Sequence, residues 1–175
     1  MTTLWDAVVG QERAVAALQR LAVDPVHAYL FVGPPGSTKD AASRAFAAAL
    51  LGAESDPTGR TARLALAGEH PDVREIRRVG ASLSAEQIGD IIRIAARAPM
   101  EGNRQVIVLD EFHLLDAMGA ARLLKTLEEP PPATVFIVLA DFVTPDLVTI
   151  ASRCVRVDFA PVSQAAIAAL LIAEG

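Results

Sequence analysis

The sequence predicts an α/β protein in which helices cover both faces of a parallel β-sheet of five strands. Short β-rich runs alternate along the chain with helix-length segments, as in repeated strand–helix–strand crossovers. The runs Val106–Leu109 and Val135–Leu139 are apolar at every position, as expected of strands buried on both faces. Apolar residues make up 52% of the 175 residues, which excludes a disordered chain and is sufficient for a core.

Five segments are predicted as strands because β-branched, aromatic and other apolar residues dominate them and turn residues end several of them. Helix-length segments separate the strands, so right-handed crossovers and parallel pairing are expected. In chain order, the predicted strands are Tyr29–Val32, His70–Ile76, Arg104–Leu109, Thr134–Leu139 and Cys154–Phe159.

The predicted helices have apolar residues at helical spacing and recognisable start or stop signals. Ser84 and Gln87 have the spacing of a capping box, which places a helix start at Ser84. The predicted helices are about Gly10–Ala22, Lys39–Leu51, a short one before Gly68, Ser84 to about Pro99, Ala117–Leu127, a short one over Pro145–Ala151, and Ser163–Ala173.

Length and composition also limit the class of protein. Residues 1–160 are predicted to form one domain, and residues 161–175 the first helix of a second domain that is cut short. The net charge of −5 disfavours a stand-alone nucleic-acid binder. The N-terminus does not read as a signal peptide, and no apolar segment has the roughly 20 residues that a membrane span needs, so a cytoplasmic protein is expected. Cys154 is the single cysteine, which excludes a disulfide framework and a Cys-cluster zinc site.

The turn after the first strand reads GPPGSTKD over residues 33–40. A P-loop reads G-x-x-x-x-G-K-[ST]; its backbone N–H groups and lysine bind phosphates and its hydroxyl binds magnesium. Gly33 and Lys39 have the expected spacing between a strand and a helix. Two positions differ, because Thr38 stands where glycine is expected and Asp40 replaces the hydroxyl residue.

Both differences are unfavourable for a nucleotide site. A β-branched residue at Thr38 resists the backbone conformation that glycine adopts freely. The Asp40 carboxylate would lie beside a triphosphate, and like charges ~4 Å apart repel by about 4 kcal/mol at an effective dielectric of about 20. Asp40 can instead be a favourable acid in the first turn of a helix. Three interpretations remain open at this point: an ordinary Gly/Pro turn, a P-loop that no longer hydrolyses ATP, and a functioning nucleotide site.

The third predicted strand ends in Asp110 and Glu111. Acids directly after an apolar strand are typical of the Walker B motif, whose Asp holds magnesium and whose Glu orients the attacking water. In the alternative interpretation, these two acids only cap the next helix. His113 is predicted to be a packing or hydrogen-bonded residue, since the sequence has no second His or Cys spaced to complete a metal site. No metal ligand set is predicted.

Several segments of the chain resemble the AAA+ subunits of the bacterial DNA polymerase III clamp loader. These segments are VGQ at 9–11, HAYLFVGP at 27–34, DEFHLL at 110–115, LLKTLEEPP at 123–131 and SRC at 152–154. Two of these segments, LLKTLEEPP at 123–131 and SRC at 152–154, are the most specific, and they are separated by some two dozen residues.

The resemblance implies an AAA+ domain within a ring of five subunits that loads the sliding clamp onto primed DNA. The degenerate phosphate loop favours the delta-prime type, a stator that lacks ATPase activity and has gamma/tau and delta subunits as partners. Gly33, Pro34, Gly36, Lys39, Asp110 and Glu111 would then form a vestigial nucleotide site. Such a subunit requires no cofactor and binds MgATP weakly at most. The intact Asp110–Glu111 pair supports the alternative of a gamma/tau-like ATPase motor.

The resemblance also implies a role for Arg153. In this family the Arg of Ser-Arg-Cys contacts the nucleotide of a neighbouring subunit, and a guanidinium carries several donors for phosphate oxygens. In the alternative interpretation, Arg153 is a surface residue that pairs with Asp158 or Glu174. The chain departs from its relatives in two respects: residues 51–69 lack the cysteines of their zinc module, and the chain stops at Gly175, before their lid and collar domains.

Overall fold

Five parallel strands form one sheet. The structure is a computed structural model that describes residues 2–81 and 83–168. The strands are β1 (Ala28–Val32), β2 (Val73–Ile76), β3 (Gln105–Leu109), β4 (Thr134–Ala140) and β5 (Val155–Asp158). Their order across the sheet is β2–β3–β4–β1–β5. This confirms the predicted fold class, with strand ends that differ from the sequence-based ones by up to three residues.

Six helices connect and cover the strands in the described residues. They are α1 (Glu12–Val23), α2 (Lys39–Leu50), α3 (Arg60–Ala67), α4 (Ala85–Ala95), α5 (Ala117–Glu128) and α6 (Val148–Ala151), and short 3-10 turns cover Ala53–Ser55, Phe112–Leu114 and Pro145–Leu147. Residues 164–168 are also helical. The remainder of the predicted last helix lies outside the described residues, so a second domain beginning at residue 161 stays a prediction.

The sheet separates two apolar cores, and β1 contributes alternate residues to each. Tyr29 and Phe31 face the core that contains α2, where the rings of Tyr29 and Phe46 meet edge to face with centroids 4.8 Å apart. Leu30 and Val32 face the other core, together with residues of α4 and α5. Burial on both faces explains why β1 and the runs 106–109 of β3 and 135–139 of β4 are apolar at every position.

The parallel register brings the carboxyl ends of the central strands to one edge of the sheet. Val32 is aligned with Ala140, and the N–H of Gly33 donates to the Ala140 carbonyl at 3.1 Å. On the other side of β4, Leu109 is aligned with Val138. The residues that follow β1, β3 and β4 are therefore neighbours, and the candidate site is built from them.

Polar groups fix two of the element starts. The capping box predicted at Ser84 is present, with Ser84 Oγ accepting from the Gln87 N–H and Gln87 Oε1 accepting from the Ser84 N–H, both at 3.2 Å. β2 begins at Val73 rather than at His70, because Asp72 is used in a turn. Its N–H donates to His70 Nδ1, and its buried carboxylate accepts from backbone N–H groups in the loop before β3.

The Asp72 carboxylate accepts from three backbone N–H groups of that loop, those of Met100, Glu101 and Gly102. Burial by itself would raise the pKa of Asp72, but these three donors favour the charged form and lower its pKa below the ordinary range. A carboxyl group with a lowered folded pKa adds stability above its unfolded pKa, and that stability is lost as the pH falls through the folded value.

Replacing Asp72 by Asn should lower the free energy of unfolding by about 2 kcal/mol at pH 7, because the three N–H groups lose a charged acceptor. The difference from the wild type should shrink as the pH falls from about 4, the ordinary pKa of an aspartate in the unfolded chain, through the lowered pKa of Asp72 in the folded protein. Urea unfolding at a series of pH values measures both. Asp146→Asn, at an exposed acid, is the matched control, and a pH-independent loss at Asp72 would contradict this account.

Candidate functional site

The predicted nucleotide-site residues meet at the edge where β1, β3 and β4 end. Gly33 follows β1 and starts the loop that leads to Lys39, the first residue of α2. Asp110 and Glu111 follow β3 directly, and Asp141 follows β4. Brought together by the register, these residues form one polar site, as expected for the carboxyl ends of a parallel sheet.

The loop depends on both of its glycines. A Cβ atom on Gly33 would lie 2.7 Å from Phe159 Cβ and 2.8 Å from Ser37 Oγ, which leaves no room for a side chain. Gly36 has a φ of +76°, in the left-handed region that glycine adopts without cost. Between them, the carbonyl of Pro34 accepts from Lys39 Nζ at 3.4 Å. The backbone of the turn is therefore oriented so that the Pro34 carbonyl faces the Lys39 ammonium group.

Thr38 adopts the glycine-like conformation that its side chain was expected to resist. Its φ and ψ are 59° and 16°, in the left-handed region. Such a conformation costs a non-glycine residue of the order of 1–3 kcal/mol and persists only where the surroundings fix it. Here Thr38 Oγ1 donates to the Val9 carbonyl at 3.3 Å, and its own carbonyl accepts the first helical N–H of α2, that of Ala42, at 2.9 Å. This position therefore combines a threonine side chain with the left-handed backbone conformation that glycine adopts freely.

Lys39 forms an ion pair with Asp141 inside the same chain. The distance from Lys39 Nζ to Asp141 Oδ1 is 2.8 Å, and the lysine side chain is only 7% exposed. The N–H of Asp141 donates to His113 Nδ1 at 3.2 Å, which confirms the hydrogen-bonded role predicted for His113. Sequence reasoning missed Asp141. The available signal was an acid directly after β4, at the same edge as the glycine-rich loop.

Both acids after β3 are also paired internally. Arg77 Nε lies 3.1 Å from Asp110 Oδ2, and Arg78 Nε lies 3.0 Å from Glu111 Oε2. The cause is the parallel register: Ile76 is aligned with Leu109, so the two arginines after β2 lie beside the two acids after β3. Sequence reasoning missed both arginines, although their position directly after a predicted strand was a signal.

The capping alternative for Asp110 and Glu111 is wrong. The carboxylate that caps α5 belongs to Asp116, whose Oδ1 accepts from the Gly119 N–H at 2.7 Å. Glu111 instead has a φ of 54°, so it and Thr38 are the two non-glycine residues with positive φ among residues 2–81 and 83–168. Strained backbone thus occurs at the two motifs that the sequence singled out.

Asp40 is one of the residues that line a small cavity between these motifs. Partial burial of its carboxyl group, and then the nearby charge of Asp110, raise the pKa of Asp40. The cavity has a volume of about 20 Å³, enough for one water molecule. It is lined by Asp40, Ser43, Arg44, Glu75, Arg77, Val108, Asp110 and Leu139.

Gln11 joins the loop to the segment after β5, a role that its sequence position did not reveal. Its buried side chain donates through Nε2 to the carbonyls of Ser37 at 2.9 Å and Ala160 at 2.7 Å. Its Oε1 accepts from the N–H of Ala160 at 3.0 Å. The phosphate loop and the segment that leads to the helix at residues 164–168 are therefore held by one amide group.

Arg153 lies just before β5, and its guanidinium pairs with Glu128 at the end of α5, with Nη2 2.6 Å from Oε1. Of the two partners considered from the sequence, Asp158 pairs instead with Arg156 at 2.8 Å, and Glu174 lies outside the described residues. The prediction that Asp158 pairs with Arg153 is therefore wrong.

The structure does not bring Arg153 to the phosphate loop. β5 runs parallel to β1, so Arg153 lies at the amino end of the strands and Gly33 and Lys39 at the carboxyl end. A strand of four residues separates the two ends by roughly 13 Å along the sheet. Arg153 and the nucleotide-site residues thus occupy opposite edges of the domain.

Cys154 and the remaining acids offer no further reactive or metal centre in the described part of the chain. Burial raises the pKa of the Cys154 thiol to about 12, which keeps it protonated and unreactive at neutral pH. Within residues 2–81 and 83–168, no three His, Cys, Asp or Glu side chains are grouped so that they could hold a metal ion. No helix among these residues is long and apolar enough to cross a membrane.

Comparison with known proteins identifies sequence relatives over nearly the whole chain. A family model described as DNA polymerase III, delta subunit, matches residues 10–163. DNA polymerase III subunit tau of Bacillus subtilis is 34% identical over 171 residues, which is 93% of this chain and 30% of tau. DNA polymerase III subunit delta-prime of Pseudomonas aeruginosa is 33% identical over 137 residues, and that of B. subtilis 31% over 152 residues. These matches cover 74% and 85% of this chain, and 42% and 46% of the two relatives. The chain therefore spans less than half the length of the three proteins.

Two solved structures share the fold. A DNA polymerase III gamma subunit-related protein of Thermotoga maritima superposes with a TM-score of 0.60 at 19% identity, over 87% of this chain and 47% of that protein. A RuvB variant of the same organism gives a TM-score of 0.54 at 20% identity, over 86% and 45% of the two chains. Both likenesses are below 25% identity and show that the chain shares the fold of these two proteins. The family match and the sequence relatives show that this chain belongs to the AAA+ clamp-loader subunits of DNA polymerase III and is delta-prime-like.

Proposed function

We propose that this protein is a non-hydrolysing, stator-like subunit of the DNA polymerase III clamp loader. It completes a ring with gamma/tau and delta subunits, helps to load the sliding clamp onto primed DNA, and supplies Arg153 to the nucleotide of a neighbouring subunit. Residues 1–160 form its AAA+ domain, and residues 161–175 begin a lid. The observation that carries the proposal is the internal pairing of every charge that its own nucleotide site would need.

The pairing of Lys39 closes the phosphate side of the site. A working P-loop lysine faces the β- and γ-phosphates. Here the ammonium already has a carboxylate partner at 2.8 Å and is almost fully buried. A phosphate would have to displace Asp141, and a charge-assisted hydrogen bond contributes about 1.5–3 kcal/mol. The displaced carboxylate would in addition lie unpaired next to the phosphate's own negative charge.

The magnesium side of the site does not fit MgATP either. Asp110, the acid that would hold the ion, forms an ion pair with Arg77. Glu111, the acid that would orient water, forms an ion pair with Arg78. Asp40 replaces the hydroxyl ligand with a carboxylate whose raised pKa reflects its unfavourable surroundings. We therefore assign no hydrolytic step to this site. In this proposal, Gly33, Pro34 and Gly36 shape the loop and take no part in nucleotide chemistry.

The position of Arg153 supports a role in trans. It lies at the opposite end of the sheet from its own phosphate loop, so a nucleotide bound there is out of its reach. Its side chain is 35% exposed and therefore available to a neighbouring subunit. A guanidinium that approaches a γ-phosphate from a neighbour stabilises the charge that spreads over its oxygens in the transition state.

A second candidate function is that of a gamma/tau-like ATPase motor. Two observations favour it: the Walker B acids Asp110 and Glu111 are both present, and tau of B. subtilis is 34% identical to this chain. In that case the ion pairs of Lys39 and Asp110 would have to exchange for MgATP. The stator function predicts that replacing Arg153 slows hydrolysis at the neighbour's site. The motor function predicts that replacing Lys39 slows hydrolysis at this subunit's own site.

The first prediction concerns the cause of the closed pocket. The variant Thr38→Gly/Asp40→Thr/Asp141→Asn restores both consensus positions and removes the partner of Lys39. It should bind a fluorescent, non-hydrolysable ATP analogue with magnesium at least about tenfold more tightly than the wild type, since each 1.4 kcal/mol regained is tenfold in Kd. Adding Lys39→Ala to this variant is the control and should remove the gain. Binding no tighter than that of the wild type would show that these substitutions and the Asp141 pair do not close the site.

The second prediction concerns the trans role. In a reconstituted loader that contains the full-length protein, Arg153→Ala should slow hydrolysis at the neighbouring site by about 10³-fold, as for other arginine fingers supplied in trans. Arg156→Ala, an exposed arginine in β5, is the matched control and should leave the DNA-stimulated ATPase rate unchanged. An unchanged rate in Arg153→Ala would exclude the trans role. The motor alternative predicts instead that Lys39→Ala slows hydrolysis at this subunit's own site.

A further inference from the structure

Glu128 holds the guanidinium of Arg153 in one orientation. Its Oε1 atom accepts from Arg153 Nε at 2.8 Å and from Nη2 at 2.6 Å. On the other side, Arg153 Nη1 donates to the Thr149 carbonyl at 2.9 Å and to Ser152 Oγ at 3.0 Å. We infer that Glu128 is a positioning residue for the arginine that this subunit offers to its neighbour, an inference that rests on the proposed function.

The contacts fix direction as well as position. A guanidinium carries five N–H donors in a rigid plane, and the four bonds to Glu128, Thr149 and Ser152 use four of them. The plane is therefore held on two edges, by α5 and by the segment that contains α6. The fifth donor is the second N–H of Nη2. An incoming phosphate oxygen would meet a donor group whose orientation is already determined.

Both sides of the contact have rigid supports. Glu128 is the last residue of α5, directly after the fully buried Leu127, and the prolines at 130–132 prevent the helix from continuing. The N–H of Arg153 donates to the Ile150 carbonyl at 3.0 Å, just before β5 joins the sheet. The two residues are 25 positions apart in the chain, so it is the fold that brings them together.

The physical advantage is preorganisation. A free arginine side chain loses rotamer entropy when it is fixed in one geometry. Donors that are oriented before the reaction stabilise a transition state without reorganisation. The pair is partly exposed, and such pairs contribute little to the stability of the folded protein. Loss of the Glu128 charge should therefore change the orientation of Arg153 and leave the fold intact.

The adjacent residue provides a matched control. Glu129 has the same side chain at the next position and is exposed. In the described part of the chain, the Arg153 hydrogen bonds to acids all go to Glu128. Glu129→Gln therefore changes the net charge as Glu128→Gln does, without removing a contact to the guanidinium.

The test is the steady-state ATPase of the reconstituted loader with the full-length protein. Glu128→Gln should lower kcat at the neighbouring site about tenfold, the size of effect typical of residues that orient a functional group, with KM for ATP unchanged. Glu129→Gln should leave both constants unchanged, and the Tm of the Glu128→Gln protein should lie within about 4 °C of that of the wild type. In an Arg153→Ala background, Glu128→Gln should not lower kcat further, since Glu128 acts through the arginine.

Each other outcome overturns the inference in a distinct way. A faster rate in Glu128→Gln would mean that Glu128 restrains the arginine. An equal loss in the Arg153→Ala background would mean that Glu128 acts by itself, and an unchanged kcat would mean that the contact has no part in catalysis. If Arg153→Ala slows hydrolysis and Glu128→Gln does not, the inference alone fails. If Arg153→Ala does not slow hydrolysis at the neighbouring site, both the inference about Glu128 and the proposed function fail.

Discussion

The buried ion pair between Lys39 and Asp141 is the interaction on which the interpretation of this site depends. An ammonium group that is 7% exposed must have a partner, because an unpaired buried charge costs several kcal/mol. In a working P-loop a phosphate can be that partner. Here the chain supplies a carboxylate of its own, so the loop is electrostatically complete without a ligand. On the proposed function, the loop keeps its turn while Lys39 pairs with Asp141 instead of with a phosphate.

The same edge of the sheet explains the other pairs. Parallel strands in register place the residues after β2 beside those after β3, so Arg77 and Arg78 neutralise Asp110 and Glu111. The opposite edge remains available for a partner, and Arg153 and Glu128 meet there. One end of the domain thus carries internally paired charges around the phosphate loop, and the other end carries the Arg153–Glu128 pair. This division is what a subunit needs if it contributes to a neighbour's reaction and not to its own.

Local signals in the sequence were sufficient for the fold. The apolar runs of β3 and β4 and the capping box at Ser84 predicted elements that the structure contains. The sequence also placed Gly33, Lys39 and Asp110 in one site, because a motif and its strand contexts are local. The partners of these residues were missed, since Lys39 and Asp141 are 102 positions apart and meet only through strand order and register. The conformation of Thr38 was missed for the same reason, because the carbonyl of Val9 helps to hold it.

The most direct test of the closed pocket is calorimetric titration of the wild-type protein with a non-hydrolysable ATP analogue and magnesium. The account predicts no heat of binding at analogue concentrations that saturate a working AAA+ site, because Lys39, Asp110 and Glu111 are already paired. A micromolar Kd that is lost in the Lys39→Ala variant would contradict it, since the lysine would then exchange Asp141 for phosphate.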